Sequence, residues 1–508
     1  MIKQKDTKSK KDEKLKKSFE ENLKTFEEVF EGDGGFTARF FMNREEGRTK
    51  FCIMYIEGMV DVETANRNII QPIIQRPLPK DFMGNMDSIL KRVILSNHGE
   101  KINGIDELVI RIIRGESVLI MEHCNEAIAI CTKGWKSRGI TEPENEKTQR
   151  GSREGFVEPI LVNISLIRRR LATPDLKVKT VVIGTESRTD VAVCYLDSIV
   201  NKQILEELLD RLSKIDYDGI IGSGYLTDLI QDSPKSPFET IGDTERPDTA
   251  ASRMLDGYIV VIVDGTPTVL VLPFLFEDYF VNIEDEYINY YFASFNRIIR
   301  LLSFIITITF PALYVAILTF HQEMIPSFLL ISLSAAREGI PFPTIIETLG
   351  LLFVFEILRE TGIRVSLQVG QSLSILGALV LGTAAVEARI VSASVIIIVA
   401  VSGLTGLLNK KTKGQTIIIT LIFVLLSGFM GLYGLMFGSL GLVVHLCSLR
   451  SFGVPYMLQY TSLRPEDIRK ATTRPPLIKN NKRPAFISGW NKRKQNQNQN
   501  QNRKQGGG

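Results

Sequence analysis

Cysteine is scarce in this chain. Cys52, Cys124, Cys131, Cys194 and Cys447 form no CxxC pair, so neither a disulfide framework nor a zinc ribbon is encoded, and the soluble part is expected in a reducing compartment. His98, His123, His321 and His445 stand at no metal-ligand spacing, and there is no HExxH or GxSxG, which removes the case for a metalloprotease or a serine hydrolase. His321 and Glu323 could ligate a cation, or form a solvated turn. Gly151-Ser152-Arg153-Glu154-Gly155 is glycine-bounded but lacks the GxxxxGK[ST] spacing of a phosphate loop. The lysine-rich stretch Met1 to Lys17 has no apolar core, so membrane insertion is expected to start from internal helices rather than from a signal peptide. These absences predict a non-enzymatic protein with no cofactor and no metal.

What is present is uneven. The chain has 508 residues. Residues 1–296 alternate charged and apolar segments as soluble domains do, whereas 298–450 holds several long apolar runs suited to a bilayer. The formal charge of +4 hides basic ends. Residues 1–20 carry eight Lys against four Asp or Glu, residues 451–508 carry twelve Lys or Arg against Glu466 and Asp467, and the body is acidic. Nucleic acid is one reading of such ends; cytoplasmic flanks of membrane helices and lipid-binding tails are the others, and the expectation is no nucleic acid.

The predicted fold is an α+β cytosolic N-terminal region of two subdomains, followed by an α-helical transmembrane domain of about four to six spans. Residues 1–35 are a charged lead-in whose Phe19, Leu23, Phe26 and Phe30 recur at helical spacing. Residues 36–141 form the first subdomain, with strands near 36–42, 50–57, 117–121 and 127–131 and helices near 61–74 and 105–114. The polar stretch 142–154 is a linker. Residues 155–290 form a second, α/β subdomain. Strands near 178–184 and 191–196, a helix 202–214 and a short strand 219–222 suggest a βαβ element, and Asp264-Gly265 between apolar runs signals a hairpin.

The transmembrane domain spans 297–450. Its apolar runs are 298–320, with Pro311 as a kink, then 342–357, 367–386, 390–408 and 416–449, the last long enough for a tight pair of helices. Arg297, Arg300, Lys410, Lys411, Lys413 and the basic tail 451–508 favour the cytosolic side, which predicts an even number of crossings with head and tail both cytosolic. The segment KRKQNQNQNQNRKQGGG at the end is low-complexity and expected to be disordered. No internal repeat is evident in the sequence.

The stretch Ser137 to Leu171, SRGITEPENEKTQRGSREGFVEPILVNISLIRRRL, resembles the signature region of spore germinant receptor A subunits. So do TERPDTAASRMLDG (244–257), IPFPTIIETL (340–349), FEILRETGIR (355–364) and SILGALVLGTAAVEARIVS (374–392). The motif positions are Gly151, Arg153, Glu158, Arg168, Arg169, Arg170, Glu245, Arg246, Pro247, Pro341 and Pro343. Ser152 stands where a proline is common, and Arg389 where a small residue is usual. The resemblance implies a nutrient-sensor subunit in the spore inner membrane, oligomeric, forming an ion-conducting path, and partnered by a transporter-like B subunit and a lipoprotein C subunit.

Within 347–364, Glu347, Glu356, Arg359, Glu360 and Arg364 interrupt an apolar segment, and such charges need partners or water. Helical geometry clusters the last four on one side, with pairs at i,i+3 and i,i+4, and places Glu347 opposite. A pore or gating helix, an interfacial helix with structural ion pairs, and a contact to the B subunit all fit. For Arg168 to Arg170 the readings are a phosphate or lipid-headgroup site and a solvated face. For the whole chain, a gated channel subunit stands against a secondary transporter and a membrane-anchored scaffold.

Overall fold

The computed structural model describes residues 14–494 apart from 45–48, 80–81, 83–84, 97, 135–141, 144–145, 365–376, 378–379, 463–464, 477, 479, 481, 485, 490 and 492. The chain forms two compact units: a head of residues 1–231, 241–273 and 481–508, and a helical unit of 232–240 and 274–480.

The head contains two five-stranded antiparallel sheets with the same strand order. In the first, β1 (Phe36–Met42), β2 (Lys50–Ile56), β3 (Gly99–Ile102), β4 (Glu116–Met121) and β5 (Ala127–Cys131) run in the order β1-β2-β4-β5-β3. In the second, β6 (Leu176–Ile183), β7 (Thr189–Leu196), β8 (Gly242–Thr244), β9 (Ile259–Val263) and β10 (Val269–Leu272) run β6-β7-β9-β10-β8. The head is therefore a tandem repeat, which corrects the expectation of none. The likeness resides in the order of buried and exposed positions; few identical residues mark it. Tyr55 to Asp61 (YIEGMVD) and Tyr195 to Asn201 (YLDSIVN) leave β2 and β7 in the same way, and Asp61 and Asn201 each N-cap the helix that follows.

Both faces of the first sheet are covered, which explains strands that are apolar almost throughout. Phe51, Ile53 and Tyr55 point to the helices over 62–92, while Cys52, Met54 and Ile56 pack with α1 (Phe19–Val29) and α5 (Ile105–Ile113). Phe19, Phe26 and Phe30 are buried there, so the lead-in docks as its helical spacing predicts.

The βαβ expectation fails. All strand pairs of the second sheet are antiparallel, and residues 219–222 are an irregular approach to the helix Ser223–Ile230. Side chains replace the missing ladder, Ser187 Oγ accepting from Ile220 N at 3.0 Å and Thr189 Oγ1 donating to Ile220 O at 2.7 Å. The Asp264-Gly265 turn does join β9 to β10, with Gly265 at φ +83°.

In the helical unit, Tyr290–Phe320 and Lys410–Ser448 are long and apolar enough to cross a bilayer; Ser327–Ala336 and Ala393–Leu407 are shorter apolar helices. The run after Lys413 folds back on itself. Gly431 has φ 60° and ψ −140°, and a side chain at Gly438 would meet Phe423 at 3.2 Å, a proximity no single straight helix permits fifteen residues apart. Most of the apolar run 367–386 lies outside the described residues.

Candidate functional site

Helix Thr344–Arg364 carries the five charged residues. Pro341 and Pro343 lie exposed before it, and Pro343 O accepts from Glu347 N at 3.1 Å, so they start the helix. Glu347 is buried, accepts a hydrogen bond from Ser392 N and lies 3.7 Å from Arg337. Glu356 and Arg359 pair at 2.7 Å, with the guanidinium over the Phe355 ring. Glu360 meets Arg364 at 2.8 Å and Lys413 at 3.1 Å. Burial separates the two i-spaced pairs: Arg359 is 12% exposed and Arg364 76%. The outer pair is screened by solvent and contributes little.

A cavity of about 290 Å³ adjoins the inner pair, with Glu356, Arg359, Thr307, Ser402 and Thr420 among its polar walls. Pro311 explains the hydroxyls. Having no N–H, it leaves the Thr307 carbonyl, four residues earlier, without its helical donor. Ser402 Oγ at 2.9 Å and Thr420 Oγ1 at 3.3 Å donate to that carbonyl instead, joining three helical segments at the kink. Thr307 and Thr405 hydroxyls meet at 2.8 Å. Arg359 Nη2 lies 2.7 Å from the Glu356 carboxylate, and Arg359 Nε finds no acceptor in hydrogen-bond geometry among the described residues. The cavity is lined mainly by apolar side chains, among them Leu352, Phe353, Phe355, Ile417 and Leu421, with the ion pair and a few hydroxyls interspersed. Sequence reasoning missed Thr307, Ser402 and Thr420; the signal was Pro311, whose freed carbonyl demands donors.

The head motif residues have structural partners. Arg168, on α6 (Ile160–Arg170), is fully buried and pairs with Asp33 at 2.6 Å, which corrects the solvated-face reading for that residue. Arg169 and Arg170 reach Glu154 at 3.1 and 2.9 Å. Arg246 is buried, pairs with Asp248 at 2.7 Å and donates to Thr148 Oγ1 and Ser152 O, so it clamps the 142–154 linker. Glu245 N donates to Glu146, and Pro247 opens the helix Pro247–Leu255. Gly151 adopts φ +124°, Arg153 is exposed, and Glu158 O accepts from Gly265 N. Arg389 ends the helix Ala385–Glu387 at φ +53°. Glu323 is exposed, and the His321 ring lies 6.5 Å from Tyr433. Among the described residues no group of His, Cys, Asp and Glu is arranged to hold a metal.

A two-repeat α+β head followed by helices long and apolar enough to cross a bilayer is consistent with a membrane location. Residues 24–486 match the family model of the Bacillus/Clostridium GerA spore germination protein, and the chain belongs to that family. It is 39% identical over 456 residues to spore germination protein KA of Bacillus subtilis (strain 168), covering 89% of this chain and 83% of that one. It is 33% identical over 442 residues to spore germination protein GerLA of Bacillus cereus, covering 86% and 89%. Among solved structures, the N-terminal domain of the A subunit of the Bacillus megaterium spore germinant receptor GerK3 aligns at 30% identity with a TM-score of 0.41, over 52% of this chain and 98% of that one.

Proposed function

We propose that the chain is the A subunit of a nutrient-sensing germinant receptor, that it oligomerises in the spore inner membrane with head and tail cytosolic, and that it forms a nutrient-gated ion path. It crosses the bilayer an even number of times, four to six, and works with a transporter-like B subunit and a lipoprotein C subunit. It catalyses no reaction. The observation that carries this reading is the Glu356–Arg359 pair, held at 2.7 Å beside a cavity within apolar helices. A charge pair there, with Arg359 12% and Glu356 27% exposed, is largely withdrawn from water and costly to break, which suits a gate. Stranding one partner costs about 3–5 kcal/mol, and a two-state gate is separated by only a few kcal/mol, so one substitution decides its position.

Spores carrying Arg359→Ala or Glu356→Ala should leak cations without nutrient or fail to respond to it, with the subunit present in membranes. Glu356→Arg with Arg359→Glu should partly restore nutrient control. Wild-type germination in both single variants at normal protein levels contradicts the gate.

A further inference from the structure

The first repeat closes on its own chain. Just after β5, Thr132 O accepts from Asp61 N at 2.8 Å, Lys133 bridges Val60, and Gly134 N donates to Met59 O at 3.3 Å. The second repeat has no such continuation, because β10 ends at Leu272 and the chain enters the helical unit at Phe274. Its equivalent edge, Ile199 to Asn201, is met by residues from the far end of the protein. Val200 bridges Ser488, Gly489 N donates to Ile199 O at 2.7 Å, and Asn201 Nδ2 donates to Phe486 O at 2.8 Å. Ile487 is fully buried beside it.

The two closing segments agree in sequence as well as in place. They read Thr132-Lys133-Gly134-Trp135 and Ile487-Ser488-Gly489-Trp490, and between them they hold both tryptophans of the chain. Glycine is demanded at the same point in each. A Cβ on Gly134 would stand 2.4 Å from Asp61 N, and one on Gly489 would stand 2.5 Å from Val200 O. Basic residues fasten the flanks of the second segment to the C-terminal end of the helix Pro247–Leu255. Arg483 Nε donates to Leu255 O at 2.8 Å and Lys494 pairs with Asp256, as the negative end of a helix favours.

We propose that the edge Ile199 to Asn201 is a peptide-docking site whose ligand is the chain's own tail segment 482–494, a basic-flanked loop closed by the Lys482–Arg493 bridge, and that its docking is a releasable latch. Main-chain pairing gives the register, as in strand addition, and the glycine requirement gives selectivity. Among the described residues, the buried Ile487 and Ser488, one ion pair and a few hydrogen bonds hold it, so it opens without unfolding the sheet. A segment of the basic tail thereby completes the second repeat.

Hydrogen exchange of the full chain in nanodiscs tests the latch. In the unsubstituted protein the amides of Asn201 and Gly489, which flank the Val200–Ser488 bridge, exchange slowly, and in Gly489→Val those of Asn201 and residue 489 exchange at least about tenfold faster, with β6, β7, β9 and β10 unchanged. In a chain ending at Asn480, an added peptide of residues 481–494 restores slow exchange at Asn201, and the same peptide carrying Gly489→Val does not. Equal exchange in the full chain with and without Gly489→Val, or no protection by the peptide, overturns the proposal. Asn201→Cys with Phe486→Cys, in a background of Cys131→Ser and Cys447→Ser, should close a disulfide within one chain. A crosslink between two chains overturns the assignment of the chain's own tail as occupant.

Discussion

Removing the guanidinium of Arg168 would strand Asp33 in the interior of the head. The pair is 2.6 Å apart, with side chains 2% and 1% exposed, so water cannot replace the lost partner. Asp33 precedes β1 of the first repeat and Arg168 sits on α6 of the second, and the same junction holds Gly34 N on Val178 O at 2.9 Å and Lys177 Nζ on Val29 O at 3.0 Å. Breaking such a buried pair costs about 3–5 kcal/mol. With a urea m-value of about 3 kcal/mol/M for a head of this size, Arg168→Met should lower the unfolding midpoint by about 1–1.7 M. Circular dichroism of the strands of the head follows the transition. Arg168→Met combined with Asp33→Leu should lose less than Arg168→Met alone, since no charge is then left buried. A midpoint drop for Arg168→Met below about 0.3 M, the scale of a surface pair, would refute the reasoning.

Asp61 N-caps its helix, and the Thr64 hydroxyl holds its carboxyl below the usual 3.8. Its folded pKa is depressed, so its contribution is present above pH 3.8 and lost as pH falls through the lower folded value. Asp61→Ala should cost about 1 kcal/mol near neutrality, a difference that shrinks in urea titrations taken to about pH 3. Burial pushes the Cys52 and Cys194 thiols up to about 12; iodoacetamide should therefore modify Cys131, which is exposed in the head, and spare Cys52, Cys124 and Cys194, as peptide mass spectrometry would show. At the kink, Ser402→Ala should cost about 1–3 kcal/mol by weakening the donors to the Thr307 carbonyl. In a Pro311→Ala background the restored amide supplies a donor, and thermal unfolding should show Ser402→Ala costing much less; equal costs in both backgrounds would contradict the assignment.

Strand positions in the head were legible because sheets covered on both faces need long apolar runs, as at β4 and β5. The turn at Asp264-Gly265 was legible from backbone preference alone. The glycine-flanked segment 219–222 was misread because Ile220 and Ile221 look like a strand, yet Ile221 is 73% exposed and serine and threonine hydroxyls take the backbone groups a neighbour strand would bind. The docking of residues 486–489 was not legible in a basic, polar tail; only the second Gly-Trp in the sequence marked its partner. Within helix 344–364 the pairings followed from helical spacing, but which pair is buried depends on residues near 402 and 420, far away in the chain.

Cation flux from proteoliposomes containing the complete receptor tests the gate most directly. Nutrient-dependent flux is expected with the unsubstituted A subunit, flux that no longer depends on nutrient with Glu356→Ala or Arg359→Ala, and partial return of nutrient dependence with the reversed pair. Identical nutrient-dependent flux from all of these proteins would contradict it.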